Sequence, residues 1–166
     1  MNIFYPKEHF RNVQAINLSK LQALGINNLI VDLDETLRKR NSDHIPEGSV
    51  NWIEEVKKKG FKICITSNNP FRWKLRKIEG IFKAPVSSFA LKPFPIAFTN
   101  AMRLLGSKPS NTALIGDQLF TDIVGANLLG IHTILVDPIT GAEKGIFRRI
   151  MRWLEQRVFP RVKLEL

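Results

Sequence analysis

Four aspartates and a few small polar residues, each placed just after an apolar run, are the residues of this chain that could do chemistry. Asp32 and Asp34 stand two apart in Val31-Asp32-Leu33-Asp34-Glu35-Thr36-Leu37, directly behind Leu29-Ile30-Val31. In an extended chain, side chains two residues apart point to the same side, so both carboxylates face one crevice. Like charges held together repel, and a divalent cation offsets that repulsion. Ala113-Leu114-Ile115-Gly116-Asp117 repeats the design, and Thr121-Asp122 follows shortly after. Asp32, Asp34, Asp117 and Asp122 together offer the oxygen donors of a hard-cation site suited to magnesium. Between the acidic pairs lie Ser67-Asn68 and Lys92-Pro93. A small hydroxyl and an ammonium at neighbouring strand ends are the donors that a phosphoryl group needs. Each residue also has a plainer reading. Asp32 and Asp34 could be a polar strand end, Asp117 a turn residue, and Asp122 a helix N-terminal acid favoured by the macrodipole. Ser67 could be a turn or N-cap residue, and Lys92 one more solvated lysine.

The elements that must carry these residues alternate from Asn28 onward. Strands are predicted at Leu29-Ile30-Val31, Phe61 to Ile65, Val86 to Phe89, Thr112 to Ile115 and Ile131 to Val136. Helices are predicted over Pro46 to Lys59, Phe71 to Ile78, Pro93 to Leu105 and Phe120 to Leu129, the last stopped by Gly130. Such alternation implies βαβ crossovers and an α/β fold, a doubly wound, three-layer parallel sheet. Acids at its carboxyl edge then sit where open α/β sheets bind ligands. Residues 1–27, with a short helix over Leu18 to Gly25, read as a lead-in packed on the sheet. The expected division is a domain over 1–140 followed by a distinct tail over 141–166.

The ordered set Asp-x-Asp-x-Thr, Ser-Asn, Lys-Pro and Gly-Asp-x-x-x-x-Asp resembles the four motifs of the haloacid dehalogenase (HAD) phosphatase superfamily, spanning Asp32 to Asp122. That resemblance implies residue roles. Asp32 would be the nucleophile that forms an aspartyl-phosphate, and Asp34 the general acid and then base. Thr36 would shape the turn beside the substrate, Ser67 would hydrogen-bond a phosphoryl oxygen with Asn68 supporting it, and Lys92 would balance the transferring group. Asp117 would hold magnesium with Asp32 and the Asp34 backbone carbonyl, and Asp122 would complete that shell. An aspartate at position 34 is usual in the phosphatases of the superfamily and absent from its dehalogenases.

From Asp34 to Ser67 is 33 positions and from Ser67 to Lys92 is 25. Neither gap holds a cap domain, so the site is expected to be open and suited to a bulky or surface-held substrate. The whole chain is similar to the YqeG-type branch of subfamily IIIA, related to phosphatidylglycerophosphate phosphatases of mitochondria and plastids. The similarity implies dephosphorylation of phosphatidylglycerophosphate, a lipid substrate fixed at a membrane.

Charge agrees with an anionic partner without choosing one. The chain carries 25 Lys+Arg against 15 Asp+Glu, a formal +10. Residues 141–166 hold seven basic residues and three acidic ones. On a helical wheel Ile146, Phe147, Ile150, Met151, Leu154 and Val158 share an arc of about 140°. With Trp153 near the edge of that face, the tail could lie on an anionic bilayer, or be a final helix packed on the sheet. Soluble nucleotide or sugar phosphates remain alternative substrates, and nucleic acid an alternative, less favoured partner of a vestigial site. One cysteine, Cys64, is expected in the core and precludes an intramolecular disulfide. Residues 1–7 lack the apolar core of a signal peptide. A cytoplasmic, peripherally membrane-bound protein is therefore expected. His9, His44 and His132 show no zinc-ligand spacing, and Trp52 and Trp73 could belong to core or site rim.

Overall fold

Strand after strand of this chain is apolar on both faces, and the structure shows why. The structure, a computed structural model, describes residues 3–68, 72–87 and 95–140. Among them run β1 (Glu8–Phe10), α1 (Leu18–Ala23), β2 (Asn28–Asp32), α2 (Glu47–Lys58), β3 (Lys62–Thr66), α3 (Arg72–Phe82), β4 (Val86–Ser87), α4 (Pro95–Leu105), β5 (Thr112–Gly116), α5 (Val124–Leu128) and β6 (His132–Val136). The strands pair in parallel in the order β1-β6-β5-β2-β3-β4. Parallel strands with helices on both faces cannot alternate apolar with polar, so they read as unbroken apolar runs.

Side chains still divide by parity. Leu29, Val31, Ile63, Ile65, Ala113 and Ile115 face α1, α2 and α3, packing with Leu21, Trp52, Ile53, Val56, Leu75 and Ile78. Ile30, Cys64 and Leu114 face the other way, onto Phe98, Ala101 and Met102 of α4 and Ala126 of α5. The result is the three-layer, doubly wound architecture that the sequence pattern implies, with no cap domain among the described residues. Cys64 is core as expected, and burial pushes its thiol up to about 12. Trp52 is also core, whereas Trp73 is 69% exposed in the first turn of α3.

Helix α2 illustrates how local chemistry sets the boundaries. Pro46 precedes it, Lys57 and Lys58 in its last turn complement the macrodipole, and Gly60 at φ +85° turns the chain into β3. Lys57 also reaches across to the end of α3, where its ammonium donates to the carbonyls of Phe82 and Lys83.

Two elements depart from the expected pattern. The lead-in is not only a helix, because Glu8–Phe10 adds a sixth strand beside β6. Three residues are too few to show a period. The buried Glu8 is polar, and its carboxylate is satisfied by Lys20 at 2.7 Å and His132 at 2.8 Å. The helix expected from Phe120 begins instead as a π-helical turn over Leu119–Ile123, and α5 follows it. Lys92, Pro93 and the tail over 141–166 lie outside the described residues.

Candidate active site

The register of the sheet brings the acidic strand ends together. In β2, Val31 is level with Ile115 of β5 and Asp32 with Thr66 of β3. Asp32 therefore sits beside Gly116, and Asp117 continues one residue past it at the carboxyl edge. Asp122 arrives from the π-helical turn. Its N–H donates to Gln118 O at 3.0 Å, and its Oδ2 accepts from the Gln118 N–H at 3.2 Å. Gly116 makes room for it, because a Cβ there would lie 2.5 Å from Asp122 Oδ2 and 2.6 Å from its Cγ.

One carboxylate oxygen from each of Asp32, Asp117 and Asp122 lies within 4.8 Å of the others. All three residues are buried, at 9%, 5% and 2% exposure. Three negative groups taken out of water at this separation repel strongly, and a cation between them reverses the sign of the interaction. The donor set fits a hard divalent ion: two oxygens ligating one ion at about 2.1 Å lie roughly 3–4 Å apart. These three side chains would hold it.

Asp34 stands outside that cluster. Its Oδ1 meets Arg38 Nε at 3.2 Å, and Arg38 Nη1 donates to Ser42 O at 3.0 Å. The turn that makes this possible starts at Glu35, a non-glycine residue at φ +72°. Glu35 N–H donates to Arg38 O at 2.7 Å, while Arg38 N–H donates back to Leu33 O at 3.1 Å. The Glu35 carboxylate is itself clamped, accepting from Arg40 N–H at 3.0 Å, Thr140 N–H at 3.1 Å and Thr140 Oγ1 at 2.7 Å. Burial pushes its acidity the other way, but these donors outweigh it and hold the carboxyl below its ordinary range. Such a network offsets the strain of a left-handed backbone beside the site.

Thr36 is buried at the same turn, and among the described residues its hydroxyl oxygen has no hydrogen-bond partner. Leu33 N–H donates to Thr66 O at 3.1 Å, which sets the next residue, Ser67, at the same edge. Ser67 is buried, its N–H donating to Ser87 O at 3.1 Å, and Asn68 is exposed. Asp32, Asp117 and Asp122 thus converge as expected, with the Asp34 side chain adjacent but turned to Arg38. Glu35 and Arg38 were not singled out from sequence. One arginine in a basic chain carries no signal, although its spacing of four from Asp34 was available.

The fold and this edge define a class. A model of the haloacid dehalogenase-like hydrolases matches residues 29–89, and a HAD-hydrolase-like model matches residues 90–145. The chain belongs to the HAD superfamily and is a phosphatase of it. More particularly, it is 34% identical over 160 residues to a probable phosphatase, YqeG, of Bacillus subtilis strain 168, covering 96% of this chain and 92% of that one. It is 33% identical over 94 residues to a ribulose-1,5-bisphosphate 5-phosphatase of Halopiger xanaduensis, covering 52% of this chain and 39% of that one. Among solved structures, a cobalt-bound deoxy-D-mannose-octulosonate 8-phosphate phosphatase from Haemophilus influenzae superposes with a TM-score of 0.54 at 18% identity, covering 82% of this chain and 90% of that one.

Proposed function

We propose that this phosphatase hydrolyses phosphomonoesters with magnesium, through a covalent intermediate on Asp32, and that its substrate is phosphatidylglycerophosphate. The observation that carries the reading is the convergence of Asp32, Asp117 and Asp122 at one strand-end crevice. Magnesium held there would neutralise charge on the transferring phosphoryl group.

The residues divide the work. A carboxylate oxygen of Asp32 attacks phosphorus as the ester P–O bond breaks, and Asp34 gives its proton to the departing oxygen. Asp34 then takes a proton from water, whose oxygen displaces Asp32 from phosphorus and releases phosphate. Ser67 and Asn68 hold phosphoryl oxygens, Thr36 supports the turn beside them, and Lys92 balances charge as transfer proceeds. Asp117 and Asp122 would hold the metal with Asp32 and the Asp34 carbonyl.

Three features support a lipid substrate: the absence of a cap among the described residues, the formal +10 charge and the amphipathic sequence of 141–166. No helix of the described residues is long and apolar enough to cross a membrane, so attachment would be peripheral. The similarity to a ribulose-1,5-bisphosphate 5-phosphatase favours a second reading, a soluble sugar phosphate. Phosphate release by the full chain with Mg²⁺ separates them. Turnover of phosphatidylglycerophosphate in anionic vesicles should exceed that of ribulose 1,5-bisphosphate by at least tenfold in kcat/KM. The reverse preference would replace the lipid reading with the soluble one.

A further inference from the structure

We propose that Arg38 is a positioning residue for Asp34: it keeps the second acid of the Asp32/Asp34 pair away from the metal carboxylates and aims it at the leaving group. This rests on the acid–base reading of Asp34 above. Two carboxylates two residues apart at one strand end would compete for the same cation, and the one that joins it can no longer move a proton. Here the pair is divided. Asp32 lies within the three-carboxylate cluster, and Asp34 lies outside it, held at Oδ1 by Arg38 Nε at 3.2 Å.

The arrangement is built rather than incidental. The Arg38 side chain is 9% exposed and that of Asp34 17%. Arg38 has a second anchor at Ser42 O, 3.0 Å from Nη1. Its backbone is fixed from both sides, by Leu33 O at 3.1 Å and by the N–H of Glu35 at 2.7 Å. An arginine suits the task because its planar fork holds two acceptors in fixed directions, which a lysine ammonium cannot. Because the contact uses Oδ1, Asp34 Oδ2 is left to carry the proton that the leaving oxygen takes as the P–O bond breaks. Asp34 is reprotonated in the second step by a proton from the attacking water.

A structural tether for the 39–46 loop would use the same contacts, so the test must read chemistry. The parameter kcat/KM reports steps up to departure of the leaving group, and proton donation matters most when that group is a poor one. The full chain with Mg²⁺ is assayed on a simple alkyl phosphate and on aryl phosphates up to 4-nitrophenyl phosphate. In Arg38→Met, kcat/KM should fall about 100-fold for the alkyl ester, within the usual range for general acid catalysis, and less than about fivefold for 4-nitrophenyl phosphate. Asp34→Asn should show the same tilt, and the double variant should be no worse than Asp34→Asn. Arg38→Lys, which keeps the cation, serves if Arg38→Met melts early, and should show the tilt at reduced size. Equal loss on all esters, or no loss, in a folded Arg38 variant overturns the proposal while leaving Asp34 as the acid. Absence of the tilt in Asp34→Asn removes the acid itself, and the role of Arg38 with it.

Discussion

Buried carboxylates occupy two places in this sheet, the edge strand β1 and the carboxyl ends of the central strands β2 and β5, and their surroundings differ. On β1, level with Ile134 of β6, Glu8 is enclosed at 5% exposure between Lys20, 2.7 Å away, and His132, 2.8 Å away. Burial alone would push its pKa up, but those two partners outweigh burial and hold the carboxyl below its ordinary value. At the carboxyl edge, Asp32, Asp117 and Asp122 crowd one another within 4.8 Å. A carboxylate held by a lysine ammonium and an imidazole is part of the fold's own electrostatic balance. Carboxylates crowded against one another form a set of oxygen donors that one cation could bridge, and that difference separates a structural ion pair from a candidate catalytic centre.

Substitutions in the two places should therefore behave oppositely, and the largest effect lies at Asp32. Asp32→Asn keeps the shape and removes the attacking charge. Phosphate release should fall by at least about 10⁴-fold, the scale of losing a nucleophile, with the circular dichroism spectrum unchanged. Turnover close to wild type would separate the cluster from the chemistry. Gly116→Ala is subtler, since its methyl would displace the Asp122 carboxylate. The half-saturating Mg²⁺ concentration for activity should rise about 10–100-fold, as when a metal ligand's support is disturbed. An unchanged Mg²⁺ dependence would show that Asp122 is dispensable to the ion.

On the edge strand the loss should be one of stability alone. Glu8→Gln removes a buried charge from two partners and should cost about 2 kcal/mol at neutral pH, with activity per folded molecule preserved. The pH dependence follows from a folded value held below the ordinary 4.5. The contribution is fully present above that ordinary value and is lost as pH falls through the folded one. Urea midpoints of wild type and Glu8→Gln should therefore converge below about pH 4.5, and a constant gap into acid would contradict the pairing. Smallest of all is the response of Cys64. With its thiol raised to about 12 in the core, it should stay unlabelled by iodoacetamide until the chain is denatured.

The same contrast explains what the sequence made legible. The catalytic edge repeats a strong local pattern, an apolar run ending in an acid, at Leu29 to Asp32 and at Ala113 to Asp117. Their convergence follows from parallel pairing alone, since Val31 and Ile115 share a register. Glu8 offered no such pattern. Its partners are 12 and 124 positions away, so β1 became visible only once the chain had folded. The turn after Asp34 was hidden for another reason. A left-handed Glu35 is rare for a residue with a side chain and is sustained by Thr140, distant in sequence. The π-helical start at Leu119, which sets Asp122 close against Gly116, likewise has no helical period to announce it.

Melting of the chelator-treated protein, with and without added Mg²⁺, tests the meaning of the carboxylate cluster most directly. Asp117→Asn should melt about 2–4 °C above wild type in chelator, the equivalent of about 1 kcal/mol of relieved repulsion, and should gain nothing from Mg²⁺, whereas wild type rises with it. A variant that melts below wild type in chelator, or that Mg²⁺ still stabilises as it does wild type, would show that these three acids do not form a cation site.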